Sequence, residues 1–241
     1  MKNEKIYEKK SIKNLLKNIL IILFVFCLFF SYVKAQPTGA DVIRGESSRG
    51  TGTSATTQDA QAGNVTGLII NQTSITRIWQ GFYGNVSGQI VLENSAGNNF
   101  YDWTLATVTG QVYASRKLVP DWSNVNCTNS TQWESEETTL NIPLTSVEGI
   151  NETFSLTTHP AFSVGSVPVS NCRSTRPYNS SGLPGNFWNV LINTNLTNTV
   201  YVSVLSDNSN AFDGGTADFE LLVPTDRNTG LATYYFYAEL N

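Results

Sequence analysis

The chain has 241 residues, with 15 Lys+Arg against 19 Asp+Glu, one histidine and three cysteines. Residues 1–35 hold seven of the lysines and two of the glutamates, so the remainder carries 8 basic and 17 acidic residues and a net charge of −9, with Lys117 its only lysine. Such a body has no positive surface to offer a phosphate backbone, which excludes nucleic acid and anionic membrane surfaces as electrostatic partners.

Lys2, Lys5, Lys9, Lys10, Lys13 and Lys17 precede an apolar run from Ile19 to Phe30, and Val33-Lys34-Ala35 follows with a small residue where a signal peptidase reads. A run this short does not span a bilayer comfortably, since a helix needs about 20 apolar residues. Residues 1–35 therefore read as a secretory signal cleaved after Ala35, the alternative being an uncleaved amino-terminal anchor and the one route to a membrane. The expected location is extracellular or at the cell surface. Cys127 and Cys172, the cysteines outside the leader, show no metal-ligand spacing. In an oxidising compartment they are expected to form one disulfide, contributing roughly 3 to 4 kcal/mol in the chain-entropy model, with two free thiols as the alternative.

From Gln36 to Ala62 the chain is Gly, Ser, Thr, Ala and Gln, with Val42 and Ile43 as its large apolar residues. Such a stretch cannot offset its ordering entropy alone and is expected to be a flexible arm, either a plain spacer or a strand for a partner with an open sheet edge. After it, short β-branched and aromatic runs alternate with Asn, Gly, Ser and Asp. The expected strands are Val65–Ile70, Thr76–Phe82, Gly88–Glu93, Phe100–Thr107, Gln111–Ser115, Thr138–Leu144, Phe187–Asn193, Val200–Leu205, Phe219–Val223 and Ala232–Leu240. No sustained 3.6-residue period is seen. The fold class is all-β, a single antiparallel β-sandwich over residues 63–241. Thr145 to Gly185, with its prolines and Cys172, reads as a long connection stapled by the disulfide rather than as more sheet.

Eight N-x-S/T sequons stand at Asn64, Asn71, Asn85, Asn126, Asn129, Asn151, Asn179 and Asn195. Behind an export signal, several are expected to be glycosylated and to lie on turns. Gly63–Gly67 and Gly84–Gly88 are near copies, both read as hairpin-like turns carrying a sequon.

Catalytic patterns are scarce, and no enzyme is expected. His159 precedes a proline in the irregular connection, no serine or cysteine sits in a nucleophile elbow, and Glu134, Glu136 and Glu137 read as a solvated face. Asp207, Asn210, Asp213 and Asp218 surround a Gly-ended loop, so calcium is the candidate cation there, with a polar turn as the alternative; no other cofactor is implied. Trp79, Tyr83, Tyr235 and Tyr237 are the candidate surface for a ligand or for assembly. In the last strand Tyr235 and Tyr237 face away from Tyr234 and Phe236, so both faces are apolar, as in a central strand or one covered by a neighbouring subunit.

The segments WQGFYGNVSG (Trp79–Gly88), Tyr101-Asp102-Trp103, GQVYAS (Gly110–Ser115), FDGGTADFELLVP (Phe212–Pro224) and YYFYAEL (Tyr234–Leu240) resemble, in that order, a group of secreted archaeal proteins. The resemblance implies an extracellular, N-glycosylated β-sandwich and no reaction. In plan, the leader, arm and sandwich also look like filament subunits that donate an amino-terminal strand to the next subunit. The expected function is that of a non-catalytic structural or adhesive surface protein, whose partners are other surface proteins or copies of itself; the alternative is a carbohydrate-binding module that takes glycans on exposed Trp and Tyr rings.

Overall fold

The computed structural model describes residues 36–105, 107–194 and 198–241. The expected leader (1–35) and the sequon asparagine Asn195 lie outside the described residues. In chain order the strands are β1 (Thr38–Gly39), β2 (Trp79–Gly84), β3 (Gln89–Glu93), β4 (Asn99–Thr104), β5 (Gly110–Ser115) and β6 (Val125–Cys127). Helices α1 (Ser130–Thr139) and α2 (Ile150–Thr153) follow, then β7 (Phe162–Val164), β8 (Val167–Val169), β9 (Ser174–Thr175), β10 (Trp188–Thr194) and β11 (Asn198–Val204). The chain ends with β12 (Ser209–Asn210), β13 (Thr216–Ala217), β14 (Phe219–Pro224) and β15 (Tyr235–Leu240). The class is all-β, and every strand pair is antiparallel.

A seven-stranded sheet ordered β1-β15-β5-β11-β10-β6, with β9 also on β10, carries the core on both faces. Alternation explains how. Along β10 and β11, Val190, Ile192, Val200 and Val202 turn to one face with Tyr113 and Tyr237, where Trp122, Val164 and Val169 cover them. Leu191 and Tyr201, directly opposite each other, turn to the second face with Val112 and Ala114, beneath Ile150 of α2, Phe154 just after it, and Leu221 and Val223 of β14. A strand buried on both sides needs apolar residues in both phases, as VLI in β10 and VYV in β11 supply. Each such side chain contributes on the order of 1.5–3 kcal/mol.

The first face is closed by the β7–β8 hairpin, so the region read as an irregular connection contributes sheet and core, and β9 within it pairs with β10. Gly165, at φ 56° in the hairpin turn, donates its N–H to Glu239 Oε1 and Oε2 at 3.0 and 3.1 Å. The Tyr113 hydroxyl lies 3.0 Å from both Glu239 Oε2 and Gln111 Oε1. Burial, and then the Glu239 charge, push the Tyr113 phenol far above its usual range, which keeps it a neutral donor. The Cys127–Cys172 disulfide, with Cα atoms 5.0 Å apart, ties the segment after β8 to β6.

Two expected strands are not strands. Thr138–Leu144 is replaced by α1 and the turn after it, because Asn129 and Gln132 form a capping box: Gln132 N donates to Asn129 Oδ1 at 3.2 Å and Asn129 N to Gln132 Oε1 at 2.8 Å. The alternation at Leu140 and Ile142 instead fills a small cluster with Ile78. Val65–Ile70 has no strand pairing at all, and every residue from Thr38 to Ser74 is exposed, so the exposed arm runs about twelve residues past Ala62. Neither Gly63–Gly67 nor Gly84–Gly88 is a hairpin turn, since β2 pairs with β14 and β3 with β4. Among the described residues no helix is long and apolar enough to cross a membrane.

Candidate assembly surface

β2 and β14 form a two-stranded ribbon lying on the second face of the large sheet. In an antiparallel pair, alternate residues aim their N–H and C=O at the partner strand and the others aim theirs outward. On β14 the outward groups are used. Glu220 O accepts from Asn189 Nδ2 at 2.6 Å and from Ser203 Oγ at 2.8 Å, and Leu222 N donates to Asn189 Oδ1 at 2.7 Å, so β10 and β11 seal that side. The residues opposite Glu220 and Leu222 are Tyr83 and Gly81, which therefore present their main-chain groups on the outer side of β2. There, among the described residues, no strand pairs with β2, and the contacts are local: Trp79 N donates to Thr76 Oγ1 and Gln80 Nε2 to Gly81 O.

The floor beside this open edge is half covered. β15 buries Tyr237 and Glu239 on the first face, while Phe236, Ala238 and Leu240 on the second face stay partly exposed. Phe82 of β2 meets Phe236 edge to face, with ring centroids 5.3 Å apart. Val86 and Gly88 close the Leu240 end, where Gly88 lies against Leu240 with no room for a Cβ. Toward the sheet margin the neighbour of β15 is β1, which brings the two small residues Thr38 and Gly39 opposite Ala238 and Tyr237. An apolar strip thus runs beside an edge that no strand covers, where the outward groups Trp79 N and Gly81 O meet only nearby side chains.

The four aromatics singled out by sequence have unlike fates. Tyr83 is 51% exposed and packs edge to face on exposed Phe212 at 4.9 Å, beside the open edge. Tyr235 is 48% exposed at the start of β15. Trp79 is half-buried, its Nε1 donating to Glu148 O at 2.8 Å and its ring 5.9 Å from Phe154, so it braces the ribbon. Tyr237 is 6% exposed; it packs on Trp122 and its hydroxyl accepts the Val119 N–H at 2.9 Å, which removes it from any surface. Sequence reading missed the β3–β4 hairpin as a surface feature. Ile90 and Leu92 stand opposite Trp103 and Tyr101, and all four are exposed.

The acidic loop is tied by its own backbone. Asp218, buried, accepts Val86 N at 2.8 Å and Asn208 N at 2.9 Å; Asp213 Oδ1 accepts Gly215 N and Asp207 Oδ1 accepts Val108 N. Asn210 is exposed in β12. These oxygens hold the β2–β3 link to the loop, and among the described residues no three His, Cys, Asp or Glu side chains converge as a metal would need. Glu136 and Glu137 do not form a solvated face. Glu136 makes a two-pronged ion pair with Arg116 at 2.6 and 2.7 Å, and Glu137 is buried, accepting Ile150 N at 2.5 Å. Burial raises the Glu137 carboxyl above its ordinary value, against the lowering effect of backbone donors, and burial likewise raises Glu220. His159 Nε2 accepts the Cys172 N–H at 3.1 Å, which leaves Nδ1 to donate to Pro160 O at 2.9 Å: a structural tautomer beside the disulfide.

Of the sequon asparagines, Asn64, Asn71, Asn85, Asn126 and Asn129 are exposed, Asn129 also capping α1. Asn151 and Asn179 are half-buried, and Asn179 Oδ1 accepts the N–H groups of Ser181 and Leu183. No family model, no curated protein and no solved structure matches this chain.

Proposed function

We propose that this is a non-catalytic structural or adhesive protein of the cell surface that assembles by adding a strand to the open edge of β2. The observation that carries this reading is the asymmetry of the ribbon: β14 has its outward groups bonded to Asn189 and Ser203 of the large sheet, whereas no strand covers the outward groups of Gly81 and Tyr83 on β2, where Gly81 O meets only the exposed side chain of the adjacent Gln80, beside the half-covered strip of Phe82, Phe236 and Ala238. Such an edge is a template for another chain, with main-chain hydrogen bonds supplying affinity and alternate side chains supplying specificity. The export-like leader, the disulfide and the exposed sequons support an extracellular setting. The sugar-binding alternative has less behind it. Tyr101 and Trp103, the paired exposed rings, are tilted by 59° and do not make one flat platform for a sugar face.

Size-exclusion chromatography with negative-stain electron microscopy tests the reading. Assemblies are expected, and Gly81→Pro, which deletes one outward N–H at a position an edge strand tolerates, should dissolve them. Unchanged assemblies in that variant would reject the β2 edge as the contact.

A further inference from the structure

We infer that the strand taken up by the β2 edge is Val65–Ile70 of a second copy of this chain. The inference rests on the strand-addition reading above and names its donor.

Val65–Ile70 is a strand-forming run with no partner: Val65, Leu68, Ile69 and Ile70 are exposed, Ile69 at 93%. Its length, six residues, equals that of β2. It carries no charge, as an apolar floor requires, and period-two alternation places Thr66, Leu68 and Ile70 on one side and Val65, Gly67 and Ile69 on the other. Leu68 and Ile70, adjacent on one side, give the continuous apolar contact that the Phe82–Phe236–Ala238 strip lacks. The sequon asparagines Asn64 and Asn71 bracket the run, so a glycan on either would stand just outside the added strand.

The donor is a second copy and not the same chain. The link from Ile70 to β2 is tied to the body at Thr76, whose Oγ1 donates to Glu148 Oε2 while accepting Ile78 N and Trp79 N, and within the arm Thr73 exchanges hydrogen bonds with Thr53, its N–H reaching Thr53 Oγ1 at 2.8 Å. In this structure the run stays off its own β2; an antiparallel return would re-route the eight residues 71–78 that carry these bonds, and a parallel return would need a crossover longer than this link. Donation to another copy breaks none of these bonds. Because donor and edge are different surfaces, the contact is head to tail and propagates as a chain of subunits.

The test uses the full chain in four forms: wild type, Leu68→Asp with Ile70→Asp, Gly81→Pro, and the two variants mixed. The donor run touches no core cluster, and a Cβ at Gly81 meets no atom within 4 Å, so both variants should fold as monomers with a single cooperative thermal transition, lower than that of assembled wild type only by what assembly adds. Wild type should form linear assemblies; each variant alone should be at least tenfold poorer in oligomer; the mixture should stop at dimers, since one variant keeps the edge and the other keeps the donor. A synthetic peptide of residues 64–71 should bind the Leu68→Asp/Ile70→Asp monomer, which decides the matter even if Gly81→Pro misfolds. If the donor variant assembles like wild type while Gly81→Pro does not, another strand occupies β2: the donor assignment falls and strand addition stands. If both variants assemble normally, or wild type stays monomeric and the peptide does not bind, both fall.

Discussion

β11 and the run Val65–Ile70 are written in much the same alphabet and end in opposite states. NTVYVSV lies in the middle of a sheet with Val200, Tyr201 and Val202 fully buried, whereas VTGLII lies unpaired with its isoleucines in solvent. The difference is not propensity, which both have, but partners. β11 finds β5 on one side and β10 on the other, and its two faces are covered by separate layers. Val65–Ile70 has neither edge nor face supplied by its own chain. Strand propensity is thus a statement about fitting a pleated, half-buried surface, and Val65–Ile70 has no such surface in its own chain.

Four measurements break or sharpen this contrast. Replacing Cys127 and Cys172 together by serine releases a staple spanning 45 residues that joins the first-face cover to β6; chemical denaturation should show a loss of about 3 to 4 kcal/mol. Leu191→Ala, which opens a cavity at a fully buried site between β14 and the large sheet, should cost about 3 kcal/mol by the same method; a cost below 1 kcal/mol would mean that the second face is loosely packed.

A smaller effect is expected at Glu137. Its folded value is raised, so its contribution is fully present below the ordinary glutamate range and is lost as pH rises through the raised value. Thermal unfolding at pH 4 and pH 7 should therefore show Glu137→Gln gaining on wild type as pH rises, since the amide oxygen still accepts Ile150 N without a charge to desolvate. An identical pH dependence in the two proteins would refute the burial argument. At the far end, Ile69→Ala should change monomer stability by less than about 0.5 kcal/mol, as surface substitutions do, where the same truncation in β10 would be severe. A large loss would place Ile69 in a core and end the contrast.

Much of the large sheet, and one strand of the ribbon over it, was legible. β5, β10, β11, β14 and β15 announce themselves by β-branched and aromatic alternation, and their observed limits fall within about three residues of those expected. The helix Ser130–Thr139 was missed: its one signal was the cap and not the period, since Asn129 and Gln132 stand at capping-box spacing while the polar run between them and Thr139 lacks an apolar stripe. The exposed aromatics were half legible, because Tyr235 and Tyr237 share one side of a strand yet one ends at the margin and the other beneath Trp122.

Residue order alone settled the all-β class, the strands with apolar residues in both phases, and the presence of two cysteines able to pair, because these follow from local sterics and from side-chain period. Tertiary structure decided which strands found neighbours. It turned Leu140 and Ile142 into loop anchors, put Glu137 and Asp218 to work holding backbone N–H groups, and left Gly81 and Tyr83 facing outward. The reason is that a strand's hydrogen bonds are completed by residues far away in sequence, so an edge becomes visible only once every other strand has taken its place.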